Sequence, residues 1–268
     1  MPNWVKNKII VGKSEFIDEI RQKHASTGSD EEKDCFDFNT VVKMPDDMNL
    51  EFGSRSDDGL SLFITKKSPK CPYFGSKEDK VAEKEVVKIK KLMENHLFVS
   101  NTLELDEEKV KSLQEKYKDK IDEVVSLGER MVNNVEKHGA MNWYEWSVKN
   151  WGTKWNSANT EWDKKSFTFE TAWDPAIPVV IDLSKQHPDM KLAFLYSDEE
   201  IGSHVGYMLL QNGRVDYQGT FPDQGRDAYK LAFDLWGCGD EFKYNEKKGT
   251  YERKPWEEEK KKPQPEMA

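Results

Sequence analysis

A chain of 268 residues is long enough to bury one large core or two small ones, and its 41 basic against 50 acidic side chains leave a net charge of −9. That balance lacks the basic excess on which general duplex nucleic-acid binding depends, and weighs against that function. Aromatic side chains at 12%, nine of them Trp, exclude a wholly disordered chain.

The opening MPNWVKNKIIVG is too polar for a signal peptide, and no run approaches the ~18 apolar residues of a membrane span. Cytoplasm is therefore the expected compartment. In that opening Val5, Asn7, Ile9 and Val11 fall on one side and Trp4, Lys6, Lys8 and Ile10 on the other, which predicts a strand ending at Gly12. Ser14 caps a helix with Phe16, Ile17 and Ile20 on its apolar stripe, running to about His24. After a polar loop, Phe36, Phe38, Thr40 and Val42 alternate as a second strand that Pro45 stops, and Leu60 to Thr65 reads as a third.

Helical spacing follows from Lys77 to about His96, and again from Asp106 to about His138. The second stripe contains Val110, Leu113, Tyr117, Ile121, Val124, Val125, Met131, Val132 and Val135, with a bend or break expected at Gly128. Phe167, Phe169, Thr171 and Trp173 predict a half-buried strand. Asp174-Pro175 opens a helix that ends near His187-Pro188. Met190 to Tyr196 and Val205 to Leu210 are strands, and Asn212-Gly213 turns the latter back into Val215 to Gly219. An amphipathic helix closes from Gly225 to Leu235, and charged sequence follows Trp236. The expected domains are a β-α-β part over 1–70, a helical insertion over 71–140, a β-α-β-β-β-α part over 141–240 and a disordered charged tail over 241–268.

Six tryptophans lie between 143 and 173, and at their centre stands Asn150-Trp151-Gly152-Thr153-Lys154-Trp155-Asn156. The candidate ligand-binding residues are Asn150, Trp151, Thr153, Lys154, Trp155 and Asn156. They offer rings for stacking, amides for base or peptide recognition and a cation for phosphate or carboxylate. The competing structural reading is that the tryptophans pack a turn onto the sheet and the asparagines satisfy backbone groups.

No catalytic set and no metal set stands out. There is no Walker loop, GxSxG or HExxH, and Gly237-Cys238-Gly239 lacks the rest of a phosphate-binding pattern. Glu200 and His204 straddle a strand start, His187-Pro188-Asp189 reads as a helix terminus, and Asp198-Glu199-Glu200 reads as a solvated turn. Cys35, Cys71 and Cys238 are scattered without a CxxC, so neither a cofactor cluster nor a disulfide framework is expected. Cys71 has no assignable basic partner.

MPNW at the start, Asn7, NWGTKWN at 150–156 and TAWDPAIPVV at 171–180 together resemble the YubB-like ferredoxin-fold proteins of phages and plasmids. Residues 207–219 fit the same pattern loosely. The resemblance covers about 1–45 and 140–236, leaving 50–140 as an insertion. Ala176 stands where a second proline is expected, and Val5 where a cysteine is frequent. The resemblance implies an α+β, ferredoxin-like two-layer sandwich of mainly antiparallel sheet with a helical insertion. The name refers to topology and implies no iron–sulfur cluster.

The family resemblance carries no established activity. By association it implies a non-enzymatic binding protein in the host cytoplasm, a counter-defence inhibitor that occupies a host protein. Two alternatives stand beside it. One is a sponge for a nucleotide-like ligand held by the Trp/Lys/Asn turn; the other is an enzyme on nucleotides or nucleic acid whose residues the sequence does not name.

Overall fold

The computed structural model describes residues 2–27, 34–50, 53–67, 80–96 and 107–255. They form two compact units: residues 1–37 with 156–268, and residues 38–155. The chain begins in the first unit with β1 (Trp4–Val11), whose Val5, Asn7, Ile9 and Val11 are buried as the alternation requires. Helix α1 (Ser14–His24) buries Ile17, Ile20 and His24. A two-stranded ribbon of β2 (Ala25–Thr27) and β3 (Asp34–Phe36) follows.

The second unit is helical. It contains α2 (Phe38–Val41), a 3-10 turn at Asp46–Met48, α3 (Ser54–Lys67), α4 (Lys80–Met93), α5 (Glu107–Lys116), α6 (Ile121–His138) and α7 (Trp143–Trp151). Two expected strands are helices here. Phe36 ends β3 and Phe38 begins a helical turn, so the alternation through Phe36, Phe38, Thr40 and Val42 does not continue as a strand. Leu60 to Thr65 lies within α3, where Leu60, Leu62, Phe63 and Ile64 all join one core with Met93, Leu113, Val124 and Met131. A short continuous apolar run fits a buried helix as well as a buried strand, and periodicity cannot separate them.

Gly128 does not interrupt α6; the break in the long helical pattern falls at Tyr117–Lys120 instead. The glycine serves a crossing of α3 over α6. A Cβ on Gly59 would meet the Val124 carbonyl oxygen, and one on Gly128 would meet the Gly59 carbonyl, both closer than 3.0 Å. Gly139, at φ 67°, ends α6 in the left-handed conformation that favours glycine.

Back in the first unit come β4 (Ala158–Trp162), β5 (Ser166–Ala172), α8 (Ile177–Gln186), β6 (Lys191–Asp198), β7 (Gly206–Gln211), β8 (Arg214–Thr220) and α9 (Arg226–Trp236). The sheet order is β4-β5-β1-β6-β7-β8, antiparallel at every step. Because β5 and β6 both run against β1, they are parallel to each other, and α8 is the crossover between them. β4 is parallel to β1 in the same way, with β5 between. Two interleaved split β-α-β units of this kind are the ferredoxin-like arrangement, extended here by β7 and β8. Residues 1–70 therefore contribute one strand, β1, to the sheet.

One sheet face is an aromatic layer. Phe36 packs on Phe167 at 5.1 Å and Phe169 at 5.2 Å, and Trp162 stacks on Phe167 at 4.6 Å. Helix α8 adds Val179, Val180 and Leu183. It starts at Ile177 with Pro178 in its first turn, two residues later than an Asp174 cap with Pro175 in first position suggests. The reason is Asn7, which is fully buried. Its amide donates to Thr171 Oγ1 at 2.8 Å and its Oδ1 accepts the Ala176 N–H at 3.4 Å, while Thr171 donates to the Asp174 carbonyl at 2.8 Å. These bonds hold 174–176 as a bridge from the strand to the helix.

Helix α9 lies on the opposite face, where Lys6 Nζ stands 4.8 Å from the Trp236 ring. The Asn212-Gly213 turn has φ of 51° and 72° at its two residues, as a hairpin of this type requires. The tail expected from 241 is in part a second hairpin, β9 (Phe242–Asn245) with β10 (Thr250–Arg253). Its aromatic residues explain it. Tyr251 packs 5.3 Å from Tyr229, and Phe242 packs 5.1 Å from Phe233 of α9. Residues 256–268 lie outside the described residues. Among those described, no helix is long and apolar enough to cross a membrane.

Candidate functional site

The tryptophan-rich turn follows α7. Asn142 caps that helix by accepting the Glu145 N–H at 3.1 Å, and Gly152 ends it at φ 80°. Ser147 Oγ then donates to the Lys154 carbonyl at 2.8 Å, tying the turn back to the helix. Glu145 is held by the Met141 N–H and by His96 Nδ1, each at 2.6 Å.

The six residues of the turn divide by environment. Trp151 is 4% exposed, and its Nε1–H donates to the Val42 carbonyl at 2.9 Å. Its ring meets Trp146 edge-on at 5.6 Å and Phe38 at 5.8 Å. Thr153 is buried, and Asn150 donates to the Trp146 carbonyl one turn back at 2.9 Å. Asn156 belongs to the sheet unit, where its amide donates to Asp37 Oδ1 at 2.8 Å. Trp155 is 38% exposed. Lys154 Nζ lies 4.8 Å from the Trp155 ring, 5.3 Å from Tyr144 and 6.0 Å from Trp143.

Trp143 and Tyr144 are not among the six, yet they supply two walls of this corner, with their rings 5.9 Å apart and 85° to each other. Their adjacency in the first turn of α7, after a capping asparagine, is the signal that points to them. For Trp151 the consequence is structural. Trp151→Phe keeps the ring and removes the bond to Val42, and is expected to destabilise the helical unit by about 1–2 kcal/mol in urea unfolding.

A second surface is on the sheet. Register places Ile10 opposite Ala193, Ala193 opposite Leu209 and Leu209 opposite Tyr217, so one apolar row crosses four strands. The row lines a cleft of ≈ 420 Å³, with Leu209 41% and Tyr217 70% exposed. Strand β8 is the edge of the sheet beside it. Alternation in the sequence says which residues share a face, but not which part of that face α9 leaves open.

A third constellation is buried. His24 Nε2 lies 3.2 Å from His187 Nε2, and His187 Nδ1 lies 2.9 Å from Glu19 Oε1. Burial, with His187 and Lys23 nearby, pushes His24 down to about 4. Sequence reasoning missed this pair because 163 residues separate its members.

The acidic turn at 198–200 closes on itself through Asp198 Oδ1, which accepts the Glu200 N–H at 2.7 Å. Among the described residues no group of three or more His, Cys, Asp or Glu side chains is arranged to hold a metal ion. Cys35 and Cys238 are half-buried free thiols, burial pushes Cys238 upward, and Cys71 lies outside the described residues.

A family model described as a ferredoxin-like domain in Api92-like protein matches residues 150–238, the stretch from the end of α7 past α9. No curated protein matches. Among solved structures, the crystal structure of a protein api92 from Yersinia pseudotuberculosis is similar at a TM-score of 0.36 and 12% identity, over 83% of this chain and 99% of that one. The topology and the matched segment together make this an α+β protein of ferredoxin-like fold.

Proposed function

We propose that the chain is a non-enzymatic binding protein of a phage or other mobile element, and that it acts by occupying a host protein through the open sheet face. The observation that carries this reading is the apolar row Ile10, Ala193, Leu209 and Tyr217, exposed at its outer end beside edge strand β8. A shallow apolar surface with an aromatic residue standing out of it is the chemistry of a protein contact. The edge strand adds unpaired backbone groups that an extended partner segment could take up. The setting is suggested by the resemblance of the MPNW, NWGTKWN and TAWDPAIPVV segments to phage and plasmid proteins.

Leu209→Asp places a charge at the middle of the row without touching the aromatic layer on the other face. Native mass spectra of protein taken from the cells that naturally express it are expected to show a protein-sized partner on the wild type. Occupancy is expected to fall roughly tenfold or more in the variant. A partner retained equally by both proteins, or bare protein in both, would overturn this contact surface.

A further inference from the structure

We propose that Trp143, Tyr144 and Trp155 form a receptor for a methylated ammonium group, and that Lys154 is its tethered occupant. This site is on the helical unit and is independent of the sheet-face contact.

Three ring faces converge on one ammonium at 4.8, 5.3 and 6.0 Å, the range in which an aromatic quadrupole attracts a cation. Two walls stand nearly perpendicular, which is how a box is built rather than a stack. The walls are fixed from below. Trp143 and Tyr144 ride on the first turn of α7 under the Asn142 cap, and the Ser147 bond to the Lys154 carbonyl holds the turn that carries Trp155. The 38% exposure of Trp155 leaves the box reachable from solvent.

Size and solvation select the ligand class. A distance of 6.0 Å to Trp143 is at the outer limit of the attraction, so a primary ammonium under-fills the box. Methyl groups on the nitrogen would meet that wall directly. They also weaken the hydration that must be removed before the rings can act. The electron-rich ring faces disfavour an anion, so the chemistry differs from that of the nucleotide-like ligand expected from the turn sequence. Lys154 competes because it is covalently present at high effective concentration. Its long side chain exchanges rotamers fast enough to yield the place.

The test uses tetramethylammonium chloride as probe, read by saturation transfer from protein to the methyl signal, with the whole chain. Wild type is expected to bind weakly, and Lys154→Ala to bind roughly 3- to 30-fold more tightly because the tethered competitor is gone. Lys154→Ala/Trp155→Ala is expected to lose the signal. Circular dichroism confirms that each variant is folded, and Lys154→Gln serves should the alanine variant fail that check. Competition by choline or by Nε-trimethyl-lysine then separates a headgroup from a modified peptide as the source. Equal affinity with and without Lys154, no signal from any folded variant, or a signal that survives loss of Trp155 overturns the proposal.

Discussion

Gly128→Ala is expected to destabilise the helical unit by about 3 kcal/mol, although alanine is the better helix former by about 1 kcal/mol. The two effects have opposite signs, and geometry decides between them. The added methyl would meet the carbonyl group of Gly59 and the Cα of Leu60, closer than 3.0 Å to each. These are backbone atoms of α3, which cannot rotate away as a side chain would. Either α3 and α6 separate, opening the core around Leu60, Val124 and Met131, or the α6 backbone bends. Gly59→Ala should behave alike, because its methyl meets the Val124 carbonyl. Gly12→Ala is the control, since nothing lies within 4 Å of its added methyl. Urea unfolding of the three variants settles it, and a Gly128→Ala protein more stable than wild type would show that the helices do not cross this closely.

Acidification should loosen the sheet unit over a window set by one histidine. His24 is fully buried against His187 at the end of α8, with Glu19 on the far side of His187 and Lys23 beside His24. Its folded value is about 4 against 6.5 for the free side chain, so the unfolded chain binds the proton first as pH falls. Above 6.5 both states are neutral at this residue and stability is full. Between 6.5 and 4 it declines, and below 4 the loss is complete, at most about 3 kcal/mol. His24→Leu replaces a titrating group by an apolar one of similar reach and should flatten this part of the curve. Melting temperatures of the two proteins from pH 7.5 to 4 test it. Parallel curves would place the acid sensitivity elsewhere.

How far the sequence reaches differs between the two units. Strict alternation in β1 and β5 already names Val5, Asn7, Ile9, Phe167 and Phe169 as one face, and the Asn212-Gly213 turn fixes the register of β7 and β8. Those signals are local, and local physics is enough for them. Leu60 to Thr65 is different, because its helical state is decided by Val124 and Met131, which stand some sixty residues away in sequence and share its core. The β9–β10 hairpin was hidden by the charges around Phe242, Tyr244 and Tyr251, whose aromatic partners are in α9. At the tryptophan turn the composition named the aromatic residues but could not sort the rings. Trp151 and Trp155 are four residues apart, one pinned beneath the surface and one standing above it, and only the path of the chain after Gly152 separates them.

The place of the helical unit between β3 and β4 has a consequence for synthesis. Asn7 of β1 and Phe169 of β5, which share a register, are separated by 162 residues. At ribosomal speeds of roughly 5–20 residues per second, β1 waits on the order of ten to thirty seconds for its first sheet partner. Through that interval Val5, Ile9, Ile17 and Ile20 have left the ribosome with no sheet to cover them, while the helical unit can complete its own core. The segment of β1 and α1 is thus a ready client for chaperones, made before the helical unit yet paired only after it.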